Sequence, residues 1–271
     1  MVITRLLATT AALSLAACAT TGNTPQQDRT YAAWAKCRAE GHDARGSVKL
    51  ERVEPDGRPQ FWMSGDGMAG WQEVRQCMTE QMAKIPLVVP EPPGWVKGDE
   101  WEFRSESPTG RAVFRWTVDR EVVIDGVAHY VIKTGSREIF YRKRDIALSR
   151  ETVNGAVVVL WTPPRVGYVW PLSAGLAWEQ TYRLERPVDR KTLDRVDAAT
   201  VEAEEATTVP AGTFKTLKIV YRVKSTGAIS HEEWYAPDVR MWVRDREPLE
   251  AGPRVRELTT YHPASRTAAV R

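Results

Sequence analysis

Two apolar periods divide the chain. Tyr31, Trp34 and Cys37 recur every third residue behind Asp28 and Thr30, which can cap a helix, and predict a short helix. A second stripe, Trp71, Val74, Met78, Met82 and Ile85, keeps helical spacing until Pro86 stops it, with Cys77 at its edge. Between them, Val48 to Val53 and Gln60 to Ser64 flank Glu54-Pro55-Asp56-Gly57-Arg58-Pro59, a hairpin signature. Beyond Gly94 the period becomes two. Phe114, Trp116 and Val118 alternate with Arg115, Thr117 and Asp119; Tyr130 and Ile132 alternate with His129 and Lys133. Leu217, Ile219, Tyr221 and Val223 alternate with Lys218, Arg222 and Lys224. One dry and one wet face per strand is the pattern of antiparallel sheet. Asp125-Gly126 and Asn154-Gly155 suit type I′ hairpin turns, and Val209-Pro210-Ala211-Gly212 suits a type I turn.

About nine or ten strands in meander order fit between Glu100 and His262. The expected fold is mainly β: a curved antiparallel sheet or half-barrel, preceded by a small disulfide-linked α+β unit. A two-layer sandwich is the alternative. The predicted division is a lipoprotein signal peptide (1–17), a flexible tether (18–30), a helix-hairpin-helix unit (31–86), a Pro-rich linker (87–98), the β-domain (99–262) and a tail (263–271).

Met1 to Ala17 carries a basic start at Arg5 and an apolar run from Leu6 to Ala16, shorter than the roughly 20 residues that span a bilayer. It ends Leu15-Ala16-Ala17-Cys18, which resembles the lipobox of bacterial lipoproteins. The resemblance implies that Cys18 becomes the first mature residue, with a diacylglyceryl thioether and an N-linked acyl chain such as palmitate. Each buried methylene contributes about 0.8 kcal/mol, and two chains already anchor a protein stably. By resemblance to the sorting rules of enteric lipoproteins, Ala19, in place of an Asp that would signal inner-membrane retention, implies the outer membrane, facing the periplasm. In that oxidising space Cys37 and Cys77 are expected to pair, closing a 40-residue span for roughly 4 kcal/mol. With no C-x-x-C present, a structural bridge outweighs redox or metal chemistry.

Three segments of the β-domain occur together: Trp170-Pro171-Leu172-Ser173-Ala174-Gly175-Leu176-Ala177-Trp178, Val209-Pro210-Ala211-Gly212-Thr213-Phe214, and Trp234-Tyr235-Ala236-Pro237-Asp238-Val239. Their order resembles a group of uncharacterised bacterial envelope proteins, often lipoproteins, with PL-x-x-G-x-x-W, VPAGTF and WYAP motifs. The resemblance covers about residues 98 to 262 and implies an architecture like the half-barrel of the lipoprotein carriers LolA and LolB. It brings no catalytic residues with it.

Composition narrows the chemistry. A chain with 42% hydrophobic and 27% charged residues is neither wholly disordered nor a multi-pass membrane protein. The net charge of +3, which falls to +2 without Arg5, argues against nucleic acid as a partner. The basic run Arg137 to Arg150 and the acidic run Asp194 to Glu205 read as solvated strand faces. His231-Glu232-Glu233 lacks the second histidine of a zinc-protease motif, so His231 and Glu233 are expected on a surface ladder. Catalytic, metal and cofactor residues are accordingly expected to be none. The eleven tryptophans are the compositional excess. Core packing accounts for most of them, and Trp116, Trp161, Trp170, Trp178 and Trp234 are candidates to line a ligand cavity. The expected function is a non-enzymatic lipoprotein, bound to the membrane through its N-terminal anchor, whose β-domain binds a hydrophobic ligand or an envelope protein. A structural accessory with a filled core is the alternative, and an envelope hydrolase the third.

Overall fold

The computed structural model describes residues 23, 25–42, 46–54, 57–65 and 67–264; Cys18, the signal segment and most of the tail lie outside them. Helix α1 (Pro25–Ala39) and helix α2 (Gly67–Lys84) enclose the hairpin of β1 (Val48–Val53) and β2 (Pro59–Met63). Cys37 and Cys77 are bonded, and with Ala33, Val48, Val74 and Met78 they form a dry core. Phe61 completes it between Trp34 and Trp71, at ring separations of 5.6 and 4.9 Å.

Helix α1 starts inside the stretch expected to be tether. Proline suits a first helical turn, where its missing N–H costs nothing, and Asp28 falls in that turn against the helix dipole. Tertiary bonds then hold the helix start: the Thr30 hydroxyl donates to the Gly57 carbonyl at 2.7 Å, and Arg29 donates to the Met82 carbonyl. Arg29 also pairs with Glu204 of the β-domain at 3.2 Å. Glu204 further accepts from Lys215 and from the Leu87 amide, which joins the small unit to the β-domain.

Twelve strands form the β-domain: β4 (Glu100–Ser107), β5 (Gly110–Ile124), β6 (Val127–Thr134), β7 (Arg137–Arg142), β8 (Ala147–Val153), β9 (Ala156–Arg165), β11 (Ala177–Arg186), β12 (Lys191–Val209), β13 (Gly212–Val223), β14 (Ile229–Ala236), β15 (Met241–Glu247) and β16 (Arg254–His262). The short pieces β3 (Val88–Val89) and β10 (Leu172–Ser173) pair separately. The sheet is curved, antiparallel and sequential, as its alternation predicts, and it closes completely: β16 pairs with β4, and β9 with β11. The strand count exceeds the sequence estimate of nine or ten; β15 carries Arg244 to Glu247, polar on both faces and giving little period-two signal. Both predicted type I′ turns form, with φ of 51° and 76° at Asp125-Gly126 and 50° and 81° at Asn154-Gly155.

Closure at β9–β11 is narrow. Three pairs make it, Arg183 with Thr162, Leu184 with Trp161 and Glu185 with Leu160. Pro163 and Pro164 follow and cannot donate to a ladder. On the other edge of β9 the register jumps from Leu148–Arg165 to Arg150–Leu160, so residues 161 to 164 bulge away from β8 while Trp161 and Thr162 stay paired to β11.

Half of the interior is packed with aromatic side chains. Phe103 stacks on Trp242 at 4.1 Å, and Trp116 meets the same indole edge-on at 5.6 Å. The Pro-rich segment closes this end of the domain. Trp95, 3% exposed, sits within 5.7 Å of Trp101, Tyr130 and Tyr141 and donates its indole N–H to the Arg240 carbonyl. Buried Asp99 fastens the plug, accepting from the Val96 and Ala264 amides and from Arg240.

Candidate functional site

The other half of the interior is charged. Alternation on β14 sends Glu232 outward to Lys218 and Arg246, at 3.0 and 2.8 Å, and turns His231 and Glu233 inward. The same alternation on β11 and β12 brings Tyr182, Arg195 and Asp197 into the interior, and on β15 and β16 Asp245 and Arg256. Sequence alternation correctly groups His231 with Glu233, but their shared face is the interior of the sheet rather than its surface.

Each ionised group has partners. Asp197, 3% exposed, accepts the Tyr182 hydroxyl at 2.6 Å and faces two guanidiniums, Arg165 at 3.8 Å and Arg195 at 3.5 Å. Glu233 accepts the Tyr168 hydroxyl at 2.7 Å and lies 3.2 Å from that of Tyr221, which also donates to the Gly167 carbonyl. The His231 ring lies flat on Tyr221, with centroids 3.9 Å apart, and its Nε2 is 3.4 Å from Glu233 and 3.2 Å from Arg165. Asp245 pairs with Arg256 at 2.7 Å, and Arg137 pairs with Glu151.

These contacts fix protonation states. Burial pushes the Glu233 carboxyl up, but His231, the Tyr168 hydroxyl and the Arg165 charge outweigh it and hold the group down to about 2. Burial pushes Tyr182 up to about 12, with the adjacent Asp197 adding to the rise and Arg165 opposing it. Tyr168 and Tyr221 are raised well above the ordinary phenol range by burial and then by the Glu233 charge, so both remain donors. Asp245 is raised, because burial outweighs Arg256.

Above this network lies a chamber of about 650 Å³, within the range of small-molecule sites. Val158, Val159, Trp161 and Leu184, on β9 and β11, give it one apolar flank. Apart from Val188 the remainder is polar, and across the whole wall five arginines meet five carboxylates. Arg186, which ends β11, and Val188 and Asp189 of the β11–β12 connection lie at its margin. Arg165 and Glu233 also border a gap of about 40 Å³ lined by Trp95, Tyr141 and Trp242, so they form the floor between the polar and aromatic halves.

Among the five tryptophans expected at a cavity, Trp161 lines the chamber. Trp116 is packed between Phe103 and Trp242, Trp178 stands edge-on to Tyr221, and Trp170 to Tyr235. Trp234 faces outward between Lys218 and Arg244 and donates to Glu205. Sequence reasoning missed Arg165, Tyr182, Arg195 and Asp197, because alternation shows which residues share a face and not whether that face looks in or out. Glu40, His42 and Cys77 also converge, with ligand atoms within 4.8 Å of one another. The Cys77 sulfur is bonded to Cys37 and is no thiolate, so this cluster lacks its sulfur donor.

No protein-family model matches the chain, and no curated protein does. Among solved structures, similarity is found to a protein of Parabacteroides distasonis ATCC 8503 described as a candidate lipoprotein, at 17% identity and a TM-score of 0.34, over 64% of this chain and 97% of that one. A candidate exported protein of Bacteroides fragilis NCTC 9343 with a YmcC-like fold aligns at 13% identity and 0.38, over 66% and 100%. The hypothetical lipoprotein YmcC of Escherichia coli K12 aligns at 9% identity and 0.32, over 62% and 86%.

Proposed function

We propose that this chain is an envelope lipoprotein, anchored through Cys18 at the outer membrane and facing the periplasm, whose β-domain binds a polar ligand in its charged chamber without turning it over. The chamber carries the reading. It is about 650 Å³, whereas the gap in the aromatic half is about 40 Å³, which leaves a hydrophobic ligand no room among the packed indoles. The polar chamber therefore replaces the aromatic cavity expected from composition. The Cys37–Cys77 bridge supports an oxidising compartment, and Leu15-Ala16-Ala17-Cys18 supports the anchor. Binding is favoured over catalysis because the inner carboxylates are held by internal partners, Asp197 by Tyr182, Arg165 and Arg195, and Glu233 by Tyr168 and His231.

Fluorescence titration tests the reading, with the aqueous and lipid fractions of bacterial envelopes as separate titrants. The aqueous fraction is expected to change tryptophan emission saturably in the wild type and not in Val159→Trp, which fills the chamber. Saturation with the lipid fraction, unaffected by Val159→Trp, overturns the proposal, as does a flat response to both.

A further inference from the structure

Charge balance and shape together select a ligand class for the chamber. Its five arginines and five carboxylates cancel, and the deep ones are held by internal partners. Asp197 is shared by Arg165 and Arg195, Asp245 holds Arg256, and Glu151 holds Arg137. At the depth of these pairs an ionic ligand would have to displace an internal partner, at the cost of leaving a buried charge uncompensated. A neutral ligand needs no such exchange. Paired guanidiniums and carboxylates still present spare N–H groups and lone pairs, held in fixed directions by the tyrosines behind them. Hydroxyl groups, which both donate and accept, match such a wall.

The apolar flank supplies the second half of the match. Trp161 sits in the bulge of residues 161 to 164, next to the prolines that end the β9–β11 ladder, and it borders the chamber beside Val159 and Leu184. A flat indole facing a hydrogen-bonding wall fits a ring whose faces carry C–H groups and whose rim carries hydroxyls. That is the chemistry of a sugar.

We infer that the chamber is a binding site for an uncharged oligosaccharide, seated with one ring face on Trp161 and its hydroxyl rim toward Arg195, Asp197, His231 and Glu233. The inference rests on the proposed function above and narrows it. It requires affinity that is nearly independent of salt, because no net charge is exchanged on binding.

Calorimetric titration of the full oxidised chain tests it, with hexamers of glucose, mannose and N-acetylglucosamine as neutral probes. The glucosamine and galacturonate hexamers serve as cationic and anionic counterparts. At least one neutral hexamer is expected to bind, with little change between low and physiological salt. Trp161→Ala should weaken it by about tenfold or more, and Trp161→Phe by less. Tighter binding of a charged hexamer with steep salt dependence overturns the inference, as does neutral binding that Trp161→Ala leaves unchanged. If no hexamer binds while the aqueous envelope fraction still saturates the wild type and not Val159→Trp, the saccharide assignment falls and the chamber reading stands. If that fraction also fails, both fall. Near-UV circular dichroism identical to the wild type shows that each variant is folded.

Discussion

Glu233 shows how a charged residue is kept inside a sheet. Desolvation pushes its carboxyl up, and His231, the Tyr168 hydroxyl and Arg165 outweigh that and hold it ionised. Because its folded pKa lies near 2, below the ordinary 4.5, its contribution to stability is complete above about pH 4.5 and is lost as pH falls toward 2. Glu233→Gln should cost about 2 kcal/mol at neutral pH and lose less on acidification than the wild type, in urea titrations across that range. Asp245, raised first by burial and also by the Glu233 charge, titrates with the opposite sign, so the difference between wild type and variant reads Glu233 together with its coupling to Asp245. Tyr182→Phe removes the donor to Asp197 and should cost about 1.5–3 kcal/mol, read the same way. At this scale the sequence is half legible. That His231 and Glu233 share a face follows from alternation, but their orientation does not, since a polar interior face and a wet exterior face have the same period.

Strands and helices differ in how firmly local sequence specifies them. The type I′ turns at Asp125-Gly126 and Asn154-Gly155, the hairpin β1–β2 and the stripe of α2 are all readable, because each rests on chemistry within a few residues. The start of α1 is not, since Thr30 and Arg29 are held by Gly57 and Met82, distant in sequence. Nor is the closure of the sheet, which depends on three pairs between β9 and β11. Flanked by Pro163 and Pro164, that seam is the natural site of local opening. Hydrogen exchange followed by mass spectrometry should find Leu160 to Thr162 and Arg183 to Glu185 exchanging before the β12–β13 ladder. The small unit depends on its bridge: reduction should remove roughly 4 kcal/mol and let a protease cleave 25–84 while the β-domain survives.

For the molecule as a whole, two features of composition are now separated. The tryptophan excess belongs largely to packing, with Trp95 as the plug that turns a presumed linker into part of the core; Trp95→Ala should cost about 3–5 kcal/mol. The near-zero net charge hides a concentration of opposite charges inside the sheet, which composition cannot reveal. The anchor is a separate claim: labelling with radioactive palmitate should mark the wild type and not Cys18→Ser. The central claim is that a polar ligand occupies the chamber, and hydroxyl-radical footprinting with the aqueous envelope fraction tests it most directly. Trp161, Leu184 and Val188, on its wall and margin, should be protected, while Val113 and Val123, exposed elsewhere on the sheet, react as before. Protection of Val113 or Val123 without Trp161, or of none of the five, would contradict it.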